Sequence, residues 1–450
     1  ECLAVGSKRV LGGEELAWLA SLLEPTIGPS PIPEPPINRL APLFLAILVA
    51  CASEATDPPS GVLRTEIGDT TVVRTLGGSA WPGPRAWREA LTIGTVDGPT
   101  ETVFGRISSI AIGEDGRIFV VDRQVPTVRV FRQDGMYLDS WGRRGEGPGE
   151  LENPDAGLGI LPDGRVVVRD PGNARLQVFS PEGEALDTWP VITGQYINRR
   201  AMGVTGDTLL NPDLVNPMDP LPEWRMGLVR VLADGTVLDT LAIPDLGRRA
   251  HRFVARSGGN AAEIDLPFES GEHWAWHPDG YLMHGAGDEY AFTQYRSNSP
   301  VRIERQVEPV EVTSGERAQE EQRVLNTMRW LDRDWRWVGP EIPDTKPAFS
   351  GLLAGLDGRI WVRRDGGAYE VEDPDYDPSD PYDTEIRWRQ EEIVDAFYPD
   401  GTFLGTVVMP RGLDWRVPPI LRADTMWAVT RDELGVQRIV RFELAFDGDR

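Results

Sequence analysis

Histidines are the residues of this sequence whose spacing first suggests chemistry. Three of the four fall within the segment EHWAWHPDGYLMH: His273, His277 and His284. On a strand, His273 and His277 would share a face but stand roughly 13 Å apart, too far for one metal ion. His284 lies across a predicted hairpin at Asp279-Gly280, so His277 with His284 is the better candidate pair for zinc. No third ligand is identified, and the alternative is that these histidines are exposed or hydrogen-bonded.

A second candidate is the acidic, proline-rich segment EDPDYDPSDPYDTE, residues 372–385. Three of its aspartates alternate as the oxygen ligands of a calcium loop do: Asp373, Asp375 and Asp377. The EF-hand pattern is incomplete, because Pro378 occupies the place of the turn glycine and Thr384 the place of the bidentate glutamate. We therefore expect a solvated loop, with calcium as the alternative cofactor.

Other patterns favour structure over catalysis. The glycine-rich segment 142–149 joins two predicted strands instead of opening a helix, so it lacks the context of a phosphate loop. Asp122 and Asp170 end equivalent strands, where a side-chain oxygen can cap the following turn. The motifs G-x-S-x-G, H-E-x-x-H and C-x-x-C are absent from the sequence, which lowers the expectation of an enzyme.

The elements that would position these residues are repeated. Shifting residues 105–142 by 48 positions aligns 12 of 38 identically, and DGRIFVVD falls on DGRVVVRD. Each copy contains four short β-rich segments, which in the first copy are Ile107–Ile112, Arg117–Asp122, Thr127–Arg132 and Met136–Trp141. Asp-Gly between such segments predicts hairpins with type I′ turns. Four antiparallel strands per unit are typical of a propeller blade.

Counting turns gives the number of blades. The turn between first and second strands recurs at six places: Asp115, Asp163, Gly206-Asp207, Asp279, Asp357 and Ala423-Asp424. The turn between third and fourth strands also recurs six times: Asp134, Glu182, Asp234, Asn298, Asp400 and Asp447. The sequence therefore predicts an all-β, six-bladed β-propeller with four-stranded antiparallel blades over residues 70–450.

Two further features complete this architecture. The chain ends at Arg450, directly after the last predicted turn, so blade six must take its fourth strand from Thr71–Leu76 or Glu89–Ile93. Between blades four and five, residues 313–331 have a capping box and apolar residues at helical spacing. They predict one amphipathic helix packed on a face of the ring, with a partner-docking helix as the alternative.

The N-terminal region reads as a targeting segment. Residues 40–50, LAPLFLAILVA, are apolar and too short to span a bilayer, but they suit a signal-peptide core. The following Cys51 completes a pattern that resembles a bacterial lipobox, which implies lipidation of this cysteine and, with Ala52 next, an outer-membrane location. We interpret residues 39–51 as a lipoprotein signal, 52–69 as a flexible tether and 1–38 as an extension of uncertain role. A buried strand with an incidental cysteine is the alternative.

The formal charge of −25 and pI of about 4.6 argue against nucleic acid, which needs a basic face. The segment GRRGEGPGELENPDAGLGILPDGRVVVRDPGNARLQVFSPEGEAL resembles the NHL-repeat pattern, although the Asn-His-Leu triplet is absent. With the GEGPGE link, the helix and PAFSGLLAGLDGRIWVRR, the chain resembles six-bladed propeller lipoproteins of environmental bacteria. NHL-type propellers are mostly binding platforms, and a few are enzymes.

Two functions follow as expectations. The first is a lipid-anchored extracytoplasmic platform that binds a protein, peptide or glycan on a propeller face and meets the membrane through its anchor only. The second is a metal-dependent hydrolase, lactonase or lyase on the same scaffold. We favour the binding platform over the enzyme. Three or more ligand side chains converging at the central channel would favour the enzyme, whereas an apolar channel would count against it.

Overall fold

A computed structural model of the chain describes residues 61–191, 200–216, 225–258, 260–372 and 386–446. Three strands precede the first repeat: β1 (Val62–Ile67), β2 (Thr70–Thr75) and β3 (Arg85–Ile93). A short 3₁₀ turn, Thr100–Thr102, leads from them into the first blade. Their partners lie in blades far along the chain, as described below.

Blades one and two are four-stranded antiparallel sheets, as the repeat predicts. Blade one contains β4 (Ile107–Ile112), β5 (Ile118–Asp122), β6 (Thr127–Phe131) and β7 (Tyr137–Trp141). Blade two contains β8 (Leu158–Ile160), β9 (Val166–Asp170), β10 (Arg175–Phe179) and β11 (Ala185–Pro190), with a 3₁₀ turn at Pro171–Asn173. Strands β5 and β9 are buried along their whole length, which confirms that both of their faces are covered.

Blades three and four are separated by a hairpin that the sequence did not predict. Blade three contains β12 (Gly203–Thr205), β13 (Thr208–Leu214), β14 (Met226–Leu232) and β15 (Val237–Ala242). The hairpin pairs β16 (Arg252–Ser257) with β17 (Asn260–Asp265) in a sheet of its own. Blade four contains β18 (Glu272–His277), β19 (Tyr281–Ala286), β20 (Ala291–Tyr295) and β21 (Val301–Arg305).

Blades five and six follow the predicted helix, α1 (Ser314–Leu331). Blade five contains β22 (Gly351–Ala354), β23 (Ile360–Glu372), β24 (Ile386–Phe397) and β25 (Phe403–Val408). Blade six contributes β26 (Ile420–Arg422), β27 (Thr425–Arg431) and β28 (Gln437–Phe446). The described residues thus form a mainly-β six-bladed propeller with one α-helix, and the blade count matches the count of turns.

The N-terminal strands close the ring and extend one blade. Strand β3 pairs antiparallel with β28, from Ile93 opposite Ile439 to Arg85 opposite Phe446, and it supplies the missing fourth strand of blade six. Of the two predicted donors, the segment at Glu89–Ile93 therefore closes the ring. The other, β2, pairs parallel with β21 and adds β1 and itself to the outer edge of blade four. The predicted turn at Asp447 lies outside the described residues.

The hairpin turns differ from the predicted type I′ geometry. In blade one, Gly116 N–H donates to the Gly113 carbonyl (3.0 Å), and only Gly116 of the Asp-Gly pair has positive φ (+82°). This is a type I turn followed by a left-handed glycine, so the type I′ expectation is wrong. The Asp115 carboxylate accepts the N–H of Arg117 (3.0 Å), which holds the aspartate in the right-handed region.

The repeated Asp-x-Trp segment joins successive blades. Trp141 donates its indole N–H to Asp139 (3.0 Å), and Trp189 donates to Asp187 at the same distance. Trp141 lies against Gly183 in the outer turn of blade two, where an added Cβ would stand 2.1 Å from the indole nitrogen. The tryptophan of one blade therefore requires a glycine in the next, which explains why the repeat preserves both positions.

Antiparallel strands place the connections on two faces of the ring. The turns between first and second strands, and between third and fourth, lie on what we call the turn face. Connections from second to third strands, and the links between blades, lie on the opposite loop face. Hairpin β16–β17 and helix α1 are parts of such links, so the insertions of this chain belong to the loop face. In the described ranges, no helix is long and apolar enough to cross a membrane.

Helix α1 begins with the predicted capping box, because Thr313 accepts the N–H of Glu316 and Glu316 accepts the N–H of Thr313. Its buried apolar residues Val324 and Met328 pack with Phe253 and Ala255 of the hairpin. Trp335 and Trp337 cover the same small core from the segment after the helix. The helix therefore packs mainly on the unpredicted hairpin, and it also contacts β24 of blade five.

Candidate functional site

The central channel of the ring is an apolar cavity of about 460 Å³. The first strands of all six blades converge on it, because the innermost strand of each blade faces the propeller axis. Its apolar side chains come from every blade: Ile110, Ile112, Leu158, Ile160, Val204, Trp274, Trp276, Leu352, Leu353, Ile420 and Leu421. A cavity of this size and lining is suited to enclosing an apolar group of a ligand.

Polar groups on the channel wall are already engaged. The Trp276 indole N–H donates to the Thr205 hydroxyl (2.8 Å) and ties blade four to blade three. The Ser109 hydroxyl donates to the Ala156 carbonyl (3.1 Å) between blades one and two. The Arg200 guanidinium lies 4.2 Å from the centre of the Trp274 ring. The wall therefore presents mainly carbon to the channel.

A second cavity of about 300 Å³ lies beside the channel, and Val417 lines both. Its walls carry Asp155 and Asp414, which occupy the links that lead into blades two and six. Burial would raise the pKa of Asp414, but hydrogen bonds from Arg416 (2.7 Å) and Arg431 (3.1 Å) hold its pKa well below the usual range. Asp414 is therefore an anion whose charge is balanced within the protein.

Blade five extends beyond the ring on the loop face. Strands β23 and β24 run past the other blades as a two-stranded ribbon, and Gln319 of α1 bonds both backbone groups of Trp388 (2.7 and 3.0 Å). A groove of about 750 Å³ lies between this ribbon and the links of blade six. Within it, burial raises the pKa of Glu392, although hydrogen bonding to Trp415 opposes the shift.

The structure places the predicted histidine pair with separate partners. His277 accepts the N–H of Asp279 at Nδ1 (3.1 Å), so we assign the proton to Nε2, which donates to the Gly358 carbonyl (2.8 Å). The His284 Nε2 stands 3.2 Å from a Glu272 oxygen. In the β-ladder His277 faces Tyr281 and His284 faces Trp274, a separation of three residues or roughly 10 Å.

Burial governs the charge of these histidines. It lowers the pKa of His273 to about 4, and Arg200 and Arg363 act in the same direction. Burial also lowers the pKa of His284, while Glu272 opposes that shift. Across the described ranges there is no group of three or more His, Cys, Asp or Glu side chains arranged to hold a metal ion. The zinc site at His277 and His284 stays a prediction.

The strand-end aspartates cap the links that precede their blades, and only Asp122 also caps the following turn, as predicted. Asp170 accepts the N–H groups of Glu152 (2.9 Å) and Asn153 (2.8 Å), and Asp122 does the same for the link into blade one. Both carboxylates are fully buried. The calcium candidates Asp373, Asp375 and Asp377 and the lipidation candidate Cys51 lie outside the described residues.

The channel wall was missed at the sequence level. The first strands of blades two, three and six, which are β8, β12 and β26, have only three residues each. Such segments carry little periodic signal. A usable signal was nevertheless present, because short apolar segments precede each of the six first-to-second turns that the sequence did reveal.

Comparison with known proteins supports the fold. Residues 97–154 match a family model, DUF5128, described as a 6-bladed beta-propeller. A solved structure from the DUF4221 family of Bacteroides vulgatus is 11% identical, with 81% of this chain and 99% of that chain covered and a TM-score of 0.50. Virginiamycin B lyase from Staphylococcus aureus is 9% identical over 80% of this chain and all of that chain, with a TM-score of 0.39.

A gluconolactonase from Xanthomonas campestris is 13% identical, with 84% of this chain and 100% of that chain covered and a TM-score of 0.35. No curated protein matches this sequence. The likeness to these solved structures concerns the fold alone, since all of the identities are low. On the matching family segment, the turn count and the six observed blade sheets, the chain is a six-bladed β-propeller.

Proposed function

We propose that this protein is a binding platform that receives an apolar side chain of a peptide or protein ligand in its central channel. The carbon-rich wall contributed by all six blades is the observation that carries the proposal. Burying one aliphatic or aromatic side chain in such a cavity contributes roughly 1.5 to 3 kcal/mol. A peptide would gain further affinity from the loop face, where links between blades border the channel.

The wall favours a peptide over a glycan. Sugars bind through several directional hydrogen bonds, and the wall's indole and hydroxyl donors at Trp276 and Ser109 are already bonded within the protein. Aliphatic and aromatic side chains need no such partners. A ligand with an exposed leucine, isoleucine or phenylalanine therefore fits the channel better than a carbohydrate.

The test is selection from a random seven-residue peptide library displayed on phage, followed by calorimetric titration of the enriched peptides with the full chain. Ala201 is exposed and lines the channel, so Ala201→Trp should obstruct it without overpacking the core. Ala242 is exposed on outer strand β15, so Ala242→Trp is a matched control.

We expect enriched peptides to share an apolar residue and to bind Ala201→Trp at least tenfold more weakly, with Ala242→Trp unchanged. Equal affinity for Ala201→Trp would remove the channel from the proposal. Saturable binding on a glycan array that Ala201→Trp abolishes, without any peptide enrichment, would replace the peptide by a carbohydrate.

We further propose that the propeller lies outside the cytoplasm and is anchored to the membrane by a lipid on Cys51. The apolar residues 40–50 and the cysteine after them support this location. Metabolic labelling with an alkyne analogue of palmitate should mark the wild-type protein and leave Cys51→Ser unmarked. Equal labelling of both proteins would refute the anchor and leave the channel proposal untouched.

A further inference from the structure

Blade five reverses a charge pair that blade one buries. In both blades an isoleucine at the start of the second strand faces a phenylalanine at the end of the third, and this aligns the two ladders. The alignment sets Arg364 on the position of Asp122 and Asp395 on the position of Arg129. Asp122 and Arg129 are 3.1 Å apart in blade one, and Arg364 and Asp395 are 3.5 Å apart in blade five.

The second-strand position that Asp122 occupies in blade one carries a cation in blade five and in no other blade. The same ladder alignment gives its occupants from blade one to blade six: Asp122, Asp170, Asp213, Ala286, Arg364 and Thr430. In blade one the carboxylate accepts four backbone N–H groups: Gly105, Arg106, Gln124 and Val125. A guanidinium can only donate, so blade five requires acceptors where blade one has donors.

The described part of the chain does not supply these acceptors to Arg364. Asp395 is fully buried and already accepts from the Tyr290 hydroxyl (2.7 Å), from Arg305 and from Thr406. Arg364 approaches it at 3.5 Å without a hydrogen bond, and its side chain is 12% exposed. Burial and the neighbouring Asp395 raise the pKa of Tyr290 well above its usual value, so this hydroxyl keeps its proton and donates.

Arg364 opens onto a cavity of about 450 Å³ between blades four and five, and Tyr290 and Arg305 line it as well. The two arginines and Asp395 leave one positive charge on this side of the cavity. The third lining cation, Lys346, is paired with Glu316 at 2.7 Å. The acidic side chains on the remaining wall are Glu269, Asp288, Glu289, Glu308 and Asp365. Asp288 pairs with Arg248 (3.3 Å) and Glu289 with Arg302, so these two charges are partly balanced elsewhere.

We propose that the cavity between blades four and five is a second binding site, which holds a small monocarboxylate through Arg364 and Arg305. A carboxylate offers two oxygens in the plane of a guanidinium, and it supplies the acceptors that this position lacks. One negative charge balances the local excess of one positive charge at Arg364, Arg305 and Asp395. The acidic wall disfavours an anion with two charges, and the volume suits a molecule of up to drug-like size.

Saturation-transfer NMR with acetate tests this site, since the method detects millimolar binding through the acetate methyl protons. The full chain is compared with Arg364→Gln, which removes the charge, and with Arg389→Gln as control. Arg389 is exposed on the ribbon of the same blade and lies outside this cavity. Thr345→Trp covers the cavity from an exposed position and leaves both arginines in place.

We expect a saturable acetate signal that falls at least fivefold in Arg364→Gln and in Thr345→Trp, with Arg389→Gln unchanged. Should Arg364→Gln not fold, Thr345→Trp decides the outcome. Methyl phosphate, probed in the same way, should give a signal at least fivefold weaker than acetate. An acetate signal that survives Thr345→Trp, or equal saturation by methyl phosphate, overturns the proposal. Because the channel is not involved, peptide binding to it is unaffected by either result.

Discussion

Removing the Asp122 carboxylate should be among the most destabilising single changes in this protein. The side chain is fully buried and accepts from four backbone N–H groups at 2.9 to 3.3 Å as well as from Arg129 at 3.1 Å. In Asp122→Ala these donors lose their acceptor, and the Arg129 charge, whose side chain is 6% exposed, stays buried without its partner. Breaking a buried pair in this way costs about 3 to 5 kcal/mol.

The free energy of unfolding, measured by urea titration at pH 7.5, gives the size of the effect. The single variants Asp122→Ala and Arg129→Leu are combined in a double-mutant cycle, since the double variant leaves no unpaired charge. Arg129 also donates to the Val103 carbonyl (2.7 Å), so Arg129→Leu has a cost of its own.

We expect the double variant to lose less free energy of unfolding than the two single variants lose together, by about 1 to 3 kcal/mol. Additive costs within about 0.5 kcal/mol would show that the two side chains do not act as a pair. Asp239→Asn on outer strand β15 is the control. Asp239 pairs with Arg230 at the surface, so this substitution should shift the unfolding midpoint far less than Asp122→Ala does.

Three further predictions concern the ring closure, the partly buried His273 and the helix. Ile93→Ala truncates a buried residue of closing strand β3 and should cost about 2 to 5 kcal/mol in urea unfolding, whereas the exposed Arg88→Ala should have little effect; a small cost for Ile93→Ala would contradict the closure. The pKa of His273 is lowered from 6.5 to about 4, so the unfolded chain binds its proton first as pH falls. Stability from His273 is therefore present above pH 6.5 and is lost toward pH 4, by up to about 3 kcal/mol. His273→Gln should flatten the pH dependence of unfolding over that window, and identical profiles would refute the shift. Thr313→Ala removes the cap of α1 and should cost about 1 kcal/mol, while Thr313→Ser should restore most of it; equal stability of all three proteins would contradict the capping role.

The repeat explains why so much of the ring could be predicted. Its shared residues are turn and packing positions, and each has a local physical reason. Asp115 accepts the N–H two residues on, Gly116 adopts positive φ, and Trp141 bonds Asp139 two residues before it. Interactions of this range are encoded within a few residues, so each turn marks a blade in the sequence as well as in space.

The predicted turn type was wrong for a related reason. Asp-Gly pairs are compatible with both type I′ turns and type I turns followed by a left-handed glycine. Choosing between them depends on the number of residues that the two strands leave unpaired, and this number follows from the ladder register. The register is a property of two paired strands, so the local sequence does not contain it.

The candidate sites were the least predictable part. Strand β3 and its partner β28 are more than 300 residues apart in the sequence. Three of the six first strands that line the channel have only three residues, which is too short to show a pattern. The histidine motif placed its members near one another along the chain, but the ladder sets His277 opposite Tyr281 and His284 opposite Trp274. His277 and His284 are therefore close in the sequence but lie about three residues apart along the paired strands.

The sequence by itself determined the β-propeller class, the six blades and the capped helix, because turns, caps and apolar periodicity act locally. Only the tertiary structure decided which strand closes the ring, that the helix packs on a hairpin, and that the channel is lined with carbon. It also decided that Arg364 and Asp395 occupy the places of Asp122 and Arg129. These features depend on which distant strands lie side by side, and that choice is made by the packing of the whole ring.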